Sequence, residues 1–284
     1  MTTTPSDHAP LLRLRDQVAI PQLGFGVFQV PPADTERAVS AALSVGYRHI
    51  DTATAYQNEE AVGEAVRRSG LPRDQVFITT KCFNADHGYQ EATRALHASL
   101  QRLGVEQVDL YLIHWPVPAH DRYADTWRAL VDLQTAGLAR SIGVSNFNPA
   151  HLRRIIDETG VVPSVNQIEL HPRLSQEPLR RLHAELGIAT EAWSPLARGA
   201  LLTDAHIAEI ASAHQRTPAQ VILRWHLQIG NIVIPRSVTP ARIEAHFQLF
   251  DFELSEDDMW DIDALNVNER IGPDPEHFVM PDRR

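Results

Sequence analysis

The stretch Gly46-Tyr47-Arg48-His49-Ile50-Asp51-Thr52-Ala53-Thr54-Ala55-Tyr56 reads as a short strand ending in a carboxylate, then a tight loop of small residues carrying a tyrosine. Before it, Ala38, Val39, Ala42, Leu43 and Gly46 recur at the helix period, and Gly46 is a natural stop. After it a second helix is expected from near Asn58, with Ala61, Val62, Ala65 and Val66 on one face. Asp51 and Tyr56 therefore sit between a strand and a helix, at the strand's carboxyl end. Open and closed α/β sheets both keep their chemistry there.

Working outward, the same unit repeats. Short apolar runs alternate with amphipathic helical patterns: Leu23-Gly24-Phe25-Gly26-Val27-Phe28, His49-Ile50, Val76-Phe77-Ile78, Val108 to Ile113, Ile142-Gly143-Val144, Val165 to Ile168, Ile188 to Trp193 and Ile232-Val233-Ile234. Near-continuous rather than alternating apolar runs mark strands covered on both faces, as in parallel sheets. Asp51, Lys81 and His114, at the ends of three successive runs, lie roughly 30 residues apart, the length of one strand–helix unit. Eight such runs predict a single-domain α/β protein with the closed (β/α)₈ TIM barrel fold. An open doubly wound sheet is the alternative, but Gly24-Phe25-Gly26 lacks the third glycine of a dinucleotide fingerprint, since Gln29 stands there. Leu11 to Leu14 and Val18 to Ile20 read as an N-terminal β-hairpin. Residues 1–10 are expected to form a flexible tail and 11–284 the barrel domain. The proline-broken end, Ile271 to Pro275 and then His277 to Arg284, is expected to be a C-terminal loop over the active-site face.

Composition narrows the function. The 284 residues carry a net charge of -10, which argues against sequence-independent binding of nucleic acid, a task that needs a basic face. One cysteine, Cys82, excludes an internal disulfide and fits a reducing compartment. Met1 to Pro10 is polar, unlike a signal peptide, and no run reaches the ~20 apolar residues that span a bilayer. A cytoplasmic location with no membrane partner is the expectation.

Asp51, Lys81 and His114 each have a bland reading alone: a loop cap, a stem running to water, a satisfied core histidine. On one rim beside Tyr56 they make chemistry. A phenol of pKa ~10 is a poor acid at neutral pH. A neighbouring ammonium stabilises its phenolate, a carboxylate keeps the buried lysine charged and aimed, and a histidine orients a carbonyl oxygen. The set is a proton donor for a carbonyl, lacking a hydride.

In barrels, phosphates bind at the loops after the seventh and eighth strands, at a helix N-terminus. The eighth run leads into Pro235-Arg236-Ser237-Val238-Thr239, with Thr239 a plausible N-cap and Pro240 a first helical residue. Arg236, Ser237 and Arg242 around that start suit a terminal phosphate, although ordinary surface arginines are the bland alternative. Asn146 and Gln167, at the ends of the fifth and sixth runs, could match a nicotinamide carboxamide, or pair with neighbouring backbone. Trp193 offers a flat face for the ring.

Taken together, Gly46 to Ala53, Asn58 to Gly63, Asp109 to Pro116, Gly143 to Phe147, Asn166 to Glu169 and Ile234 to Ser237 resemble the aldo-keto reductase superfamily, closest to the bacterial branch with 2,5-diketo-gluconate reductases. The resemblance implies an NADPH-dependent reductase of aldehydes or ketones. Tyr56 would donate the proton, tuned by Lys81 and Asp51, with His114 orienting the carbonyl. Ser145, Asn146 and Gln167 would hold the carboxamide, Trp193 would stack on the ring, and Ser194, Leu196 and Gly199 would line the pyrophosphate path. Arg236, Ser237 and Arg242, with Val238 in the same loop, would hold the adenosine end. The family usually has lysine where Arg236 stands and Glu-Asn where Ala245-His246 stands. The first change keeps the charge; the second removes groups on the adenine side, so NADH is expected as a lower-affinity cofactor. Phe25, Val27, Phe83 and Trp115, with the tail around His277-Phe278, are expected at the substrate pocket; core packing competes for Phe25 and Phe83. Monomers are common in the family. Two rivals differ in class: a metal-dependent barrel hydrolase built on His49, Asp51 and His114, and a non-catalytic NADPH sensor.

Overall fold

The computed structural model describes residues 9–279. Most of the expected tail, residues 1–8, lies outside the described residues, as do residues 280–284 of the C-terminal loop. Ala9 is buried, and the Pro10 carbonyl accepts from Gln22 N at 2.8 Å.

The hairpin is β1 (Leu11–Arg13) and β2 (Ala19–Pro21), antiparallel, with Leu12 opposite Ile20. The repeating part follows. Strands β3 (Phe25–Gly26), β4 (His49–Asp51), β5 (Phe77–Cys82) and β6 (Val108–Ile113) alternate with helices α1 (Pro32–Val45), α2 (Glu59–Arg68) and α3 (Tyr89–Leu103). Next come α4 (Tyr123–Thr135), β7 (Ala139–Ser145), α5 (Pro149–Thr159), β8 (Val165–Glu169), α6 (Glu177–Leu186) and β9 (Ala189–Trp193). The chain goes on through α7 (Ala205–Ala213), α8 (Pro218–Gln228), β10 (Ile232–Val233), α9 (Pro240–Phe247) and α10 (Glu256–Asp263). Strands β3 to β10 form one eight-stranded parallel sheet in chain order. Its two edges meet: Leu23 bridges Val233 in parallel, and Gly24 N donates to Val233 O at 2.9 Å. The arrangement is that of a (β/α)₈ fold. The glycine that breaks the first strand has a reason, because a Cβ on Gly24 would stand 2.5 Å from His49 Nδ1.

The helices begin and end where local chemistry directs. Gly46 closes α1 at a φ of 125°, open to glycine at no steric cost. Thr217 and Ser255 cap α8 and α10 with capping boxes. Thr239 stands at the N-cap of α9 without a side-chain cap; Ser237 Oγ accepts from Thr239 N at 3.1 Å instead.

Two cores explain the apolar strands. Side chains alternate across a strand, so Tyr111 and Ile113 pack outward under the helices while Leu110 and Leu112 pack inward. The inner cluster joins Leu110, Leu112, Phe77, Val165 and Ile232 to Leu14 and Ile20 of the hairpin. That plug fills the end of the cylinder where the strands begin. Asp16, in the hairpin turn, accepts from Ser141 Oγ at 2.7 Å and Ser164 Oγ at 2.8 Å.

Candidate active site

The same parity that turns Phe77 and Val165 inward carries polar residues to the other end of the cylinder. On β5, Phe77 is followed inward by Thr79 and Lys81; on β8, Val165 by Gln167 and Glu169; on β9, Ala189 by Glu191 and Trp193. Lys81 is the only lysine in the chain and is fully buried. Its ammonium donates to both Asp51 oxygens, at 2.7 and 2.8 Å, and to Thr52 O at 2.9 Å. Tyr56 OH stands 3.4 Å from the same nitrogen. Burial works to lower the Lys81 pKa, but Asp51 and then Tyr56 favour the charge, and the net direction is up.

Tyr56 ends a 3₁₀ turn, Thr54–Tyr56, held by Asn58, which accepts from Thr52 Oγ1 at 2.8 Å and donates to Val27 O at 3.0 Å. Its ring lies 5.6 Å from His114 and 5.1 Å from Phe28. Lys81 pulls the phenol pKa down, as the sequence implied, but burial is the larger effect and pushes it up to about 12. The tyrosine therefore holds its proton at neutral pH, which a proton donor needs. Burial, helped by the Lys81 charge, holds His114 well below the ordinary histidine range, so its ring is neutral.

Behind these groups runs a polar chain. Gln167 Nε2 donates to Asp51 Oδ2 at 2.8 Å, and Ser145 Oγ donates to Gln167 O at 2.8 Å. Asn146 donates to His114 O at 2.9 Å and to Ser145 Oγ at 3.0 Å. Asn146 Oδ1 in turn accepts from Trp193 Nε1 at 2.8 Å. The two amides thus have partners within the site itself. Asn146 and Ser194 adopt positive φ, 65° and 49°, as do Ala197 and Arg198 in the following turn. Non-glycine residues held in this region cluster at functional sites. Leu196 and Gly199 lie half-buried along that turn.

At the next loop, Arg236 is exposed and donates to Phe28 O at 3.1 Å, Ser237 is buried, and Val238 and Arg242 are exposed beside the start of α9. The pocket expectation needs correction at two residues. Phe25 and Val27 are fully buried in the outer core, Phe25 edge-on to Tyr47 at 5.6 Å, because their strand positions face the helices. Phe28, almost half exposed and next to Tyr56, stands at the rim instead. Phe83 is buried. Trp115 is nearly buried between Trp193, 6.3 Å away, and Phe278, 4.3 Å away.

The C-terminal loop does cross this face. Buried Glu169 accepts from Ile271 N at 2.6 Å and Gly272 N at 2.9 Å, with Arg270 3.5 Å off. Gly272 presses on the indole: a Cβ there would meet Trp193 Cη2 at 2.4 Å. Glu169 and Gly272 were invisible as site residues in the sequence, because neither role exists until the loop folds back. Glu191 was missed too, although a carboxylate amid an apolar run was the available signal.

The chain is similar to known proteins over nearly its whole length. The pattern of the aldo/keto reductase family matches residues 22–267. An aldo-keto reductase of Mycobacterium sp. (strain JLS) is 58% identical over 270 residues, 95% of this chain and 98% of that one. A methylglyoxal reductase DkgA of Yersinia pestis is 53% identical over 272 residues, 95% of this chain and 97% of that one. The solved structure of a Gox0644 mutant in complex with NADPH has a TM-score of 0.93 at 45% identity, covering 96% of this chain and 99% of that one. The chain belongs to the aldo/keto reductase family.

Proposed function

We propose that this protein is an NADPH-dependent carbonyl reductase that converts aldehydes or ketones to alcohols in one (β/α)₈ domain. The observation that carries the reading is the convergence of Tyr56 OH, the Lys81–Asp51 pair and neutral His114 on one rim. The donor set suits the dinucleotide. Trp193 is half-buried with its indole fixed by Asn146, and the first turn of α9 with Arg236 and Arg242 is a cationic seat for phosphate. Relatives of this chain bear the same chemistry in their names, one as a methylglyoxal reductase and one solved with NADPH.

The bound dinucleotide supplies the hydride that reduces the carbonyl carbon. The residues of the chain do the rest. His114, as a neutral ring, donates to the carbonyl oxygen and fixes its direction. Tyr56 gives its proton to that oxygen as negative charge gathers there, and Lys81 steadies the resulting phenolate. Asp51 holds Lys81 in place through both oxygens. Gln167 holds Asp51, and Ser145 and Asn146 hold Trp193, the flat face that would carry the nicotinamide. Trp115, Phe28 and Phe278 offer apolar contact to the substrate and keep water from the reacting oxygen.

The hydrolase alternative lacks support, since His49 Nε2 lies 3.0 Å from Thr79 Oγ1 and both Asp51 oxygens are engaged by Lys81. Among the described residues no three His, Cys, Asp or Glu side chains gather as a metal would need. The test is Tyr56→Phe. NADPH binding, followed by fluorescence, is expected to persist while reduction of methylglyoxal or benzaldehyde falls by ~10²–10⁴-fold. Turnover close to that of the parent enzyme would refute the proton-donor role.

A further inference from the structure

One buried acid has no part in the scheme above. Glu191, at the middle of β9, is wholly buried inside the cylinder. The β8–β9 register sets it beside Gln167, the residue that donates to Asp51. Across the interior, His49 Nε2 lies 3.7 Å from its Oε1, too far for a hydrogen bond. Neither oxygen has a well-formed hydrogen bond; the Gln167 amide, which donates to Asp51, leans toward the carboxylate and favours its charge only in part. An ionised carboxylate so short of donors is among the costliest groups to bury. The cation that could compensate it, Lys81, is already bound through both oxygens of Asp51.

We propose that Glu191 is a positioning residue held as a neutral carboxylic acid beneath the Asp51–Lys81 pair, so that Asp51 supplies the one carboxylate charge facing the ammonium beside Tyr56. The inference rests on the proton-donor reading of Tyr56. The groups that face Glu191 are His49 and Asp51 from β4, Lys81 and Thr79 from β5, Gln167 from β8 and Ile232 from β10, with Tyr56 beyond. His49 is the other group that could hold the shared proton. Burial, with a smaller push from Lys81, drives its pKa down to about 3, so it stays neutral. Burial, and then the Asp51 charge, drives Glu191 up to about 8, with Gln167 and Lys81 acting the other way.

The consequence is a built-in alkaline limit. Above that pH Glu191 loses its proton to solvent and sets a second negative charge under the site. That charge raises the Tyr56 pKa further and makes it a weaker acid toward the carbonyl.

Because Lys81 is the sole lysine, lysine labelled isotopically at Cε places a single NMR probe at the centre of the site. In the wild type its resonance is expected to shift as pH rises through about 8, and in Glu191→Gln that step is absent. In parallel, wild-type kcat for carbonyl reduction drops severalfold through the same range, and the Glu191→Gln profile lacks the drop. No inflection of the Lys81 signal in the wild type, the same inflection in Glu191→Gln, or identical rate profiles would overturn the proposal. Turnover by Tyr56→Phe would defeat the proton-donor reading and leave the Lys81 titration in place, so the two failures are told apart.

Discussion

The two ends of the cylinder are made from the same strands and do opposite work. Where the strands begin, inward positions are Phe77, Leu110 and Val165, and the hairpin adds Leu14 and Ile20 as a stopper. Where they end, the inward positions are Asp51, Lys81, Gln167 and Trp193. The apolar end gains free energy by leaving water, about 25 cal/mol per Å² of apolar surface. The polar end spends it, since each buried charge must be matched by a partner. The contrast teaches that stability and chemistry are separated along the barrel axis by two or three residues per strand.

Mutations at either end should break or sharpen that division. At the polar end, Tyr56→Phe should give the largest effect, on rate and with little change in melting. At the apolar end, Leu110→Ala removes a fully buried side chain from the inner cluster and should cost about 2–5 kcal/mol in urea unfolding while kcat stays close to wild type. A rate loss there without a stability loss would erase the distinction. Gly272→Ala links the ends differently. Its Cβ would collide with the Trp193 ring, so kcat/KM should fall by up to ~10²-fold with a small stability change. Asp16→Ala strands the buried Ser141 and Ser164 hydroxyls under the hairpin and should cost about 1–3 kcal/mol, with no effect on turnover.

A further effect is read from pH. Burial pushes His49 and His226 down to about 3, and His87, His183 and His246 down to about 4. Unfolded, these rings take a proton near ~6.5. The unfolded chain then binds more protons, so stability present above that pH is lost as pH falls toward 4. Glu191 works the other way. Its folded pKa is raised, so its contribution is present below the ordinary carboxylate range and is lost as pH rises through about 8. Urea midpoints across pH should fall on both sides in the wild type, and Glu191→Gln should keep the acid limb and flatten the alkaline one.

Much of this was legible beforehand because it is local. The helix period before Gly46, the spacing of Asp51, Lys81 and His114 and the apolar runs between them need no knowledge of what packs on what. Phe25 and Val27 show where that legibility stops. An aromatic next to a glycine at a strand end reads as a pocket wall, yet a shift of one residue turns a side chain to the other face of a strand. Phe28 took the rim position for that reason. Glu169 ends the Asn166 to Glu169 motif, but its partner loop lies about a hundred residues on, and only folding reveals the contact.

The sequence alone determined the repeat, the strand–helix alternation, the family and the four groups on the rim, because each follows from period, spacing or residue chemistry within one unit. Tertiary structure decided the rest: how burial outweighs Lys81 at Tyr56, which carboxylate keeps a proton, and which glycine must stay bare beneath Trp193. Those outcomes depend on distances between strands and loops remote in the chain, and the energies of buried charges and crowded atoms change steeply over an ångström.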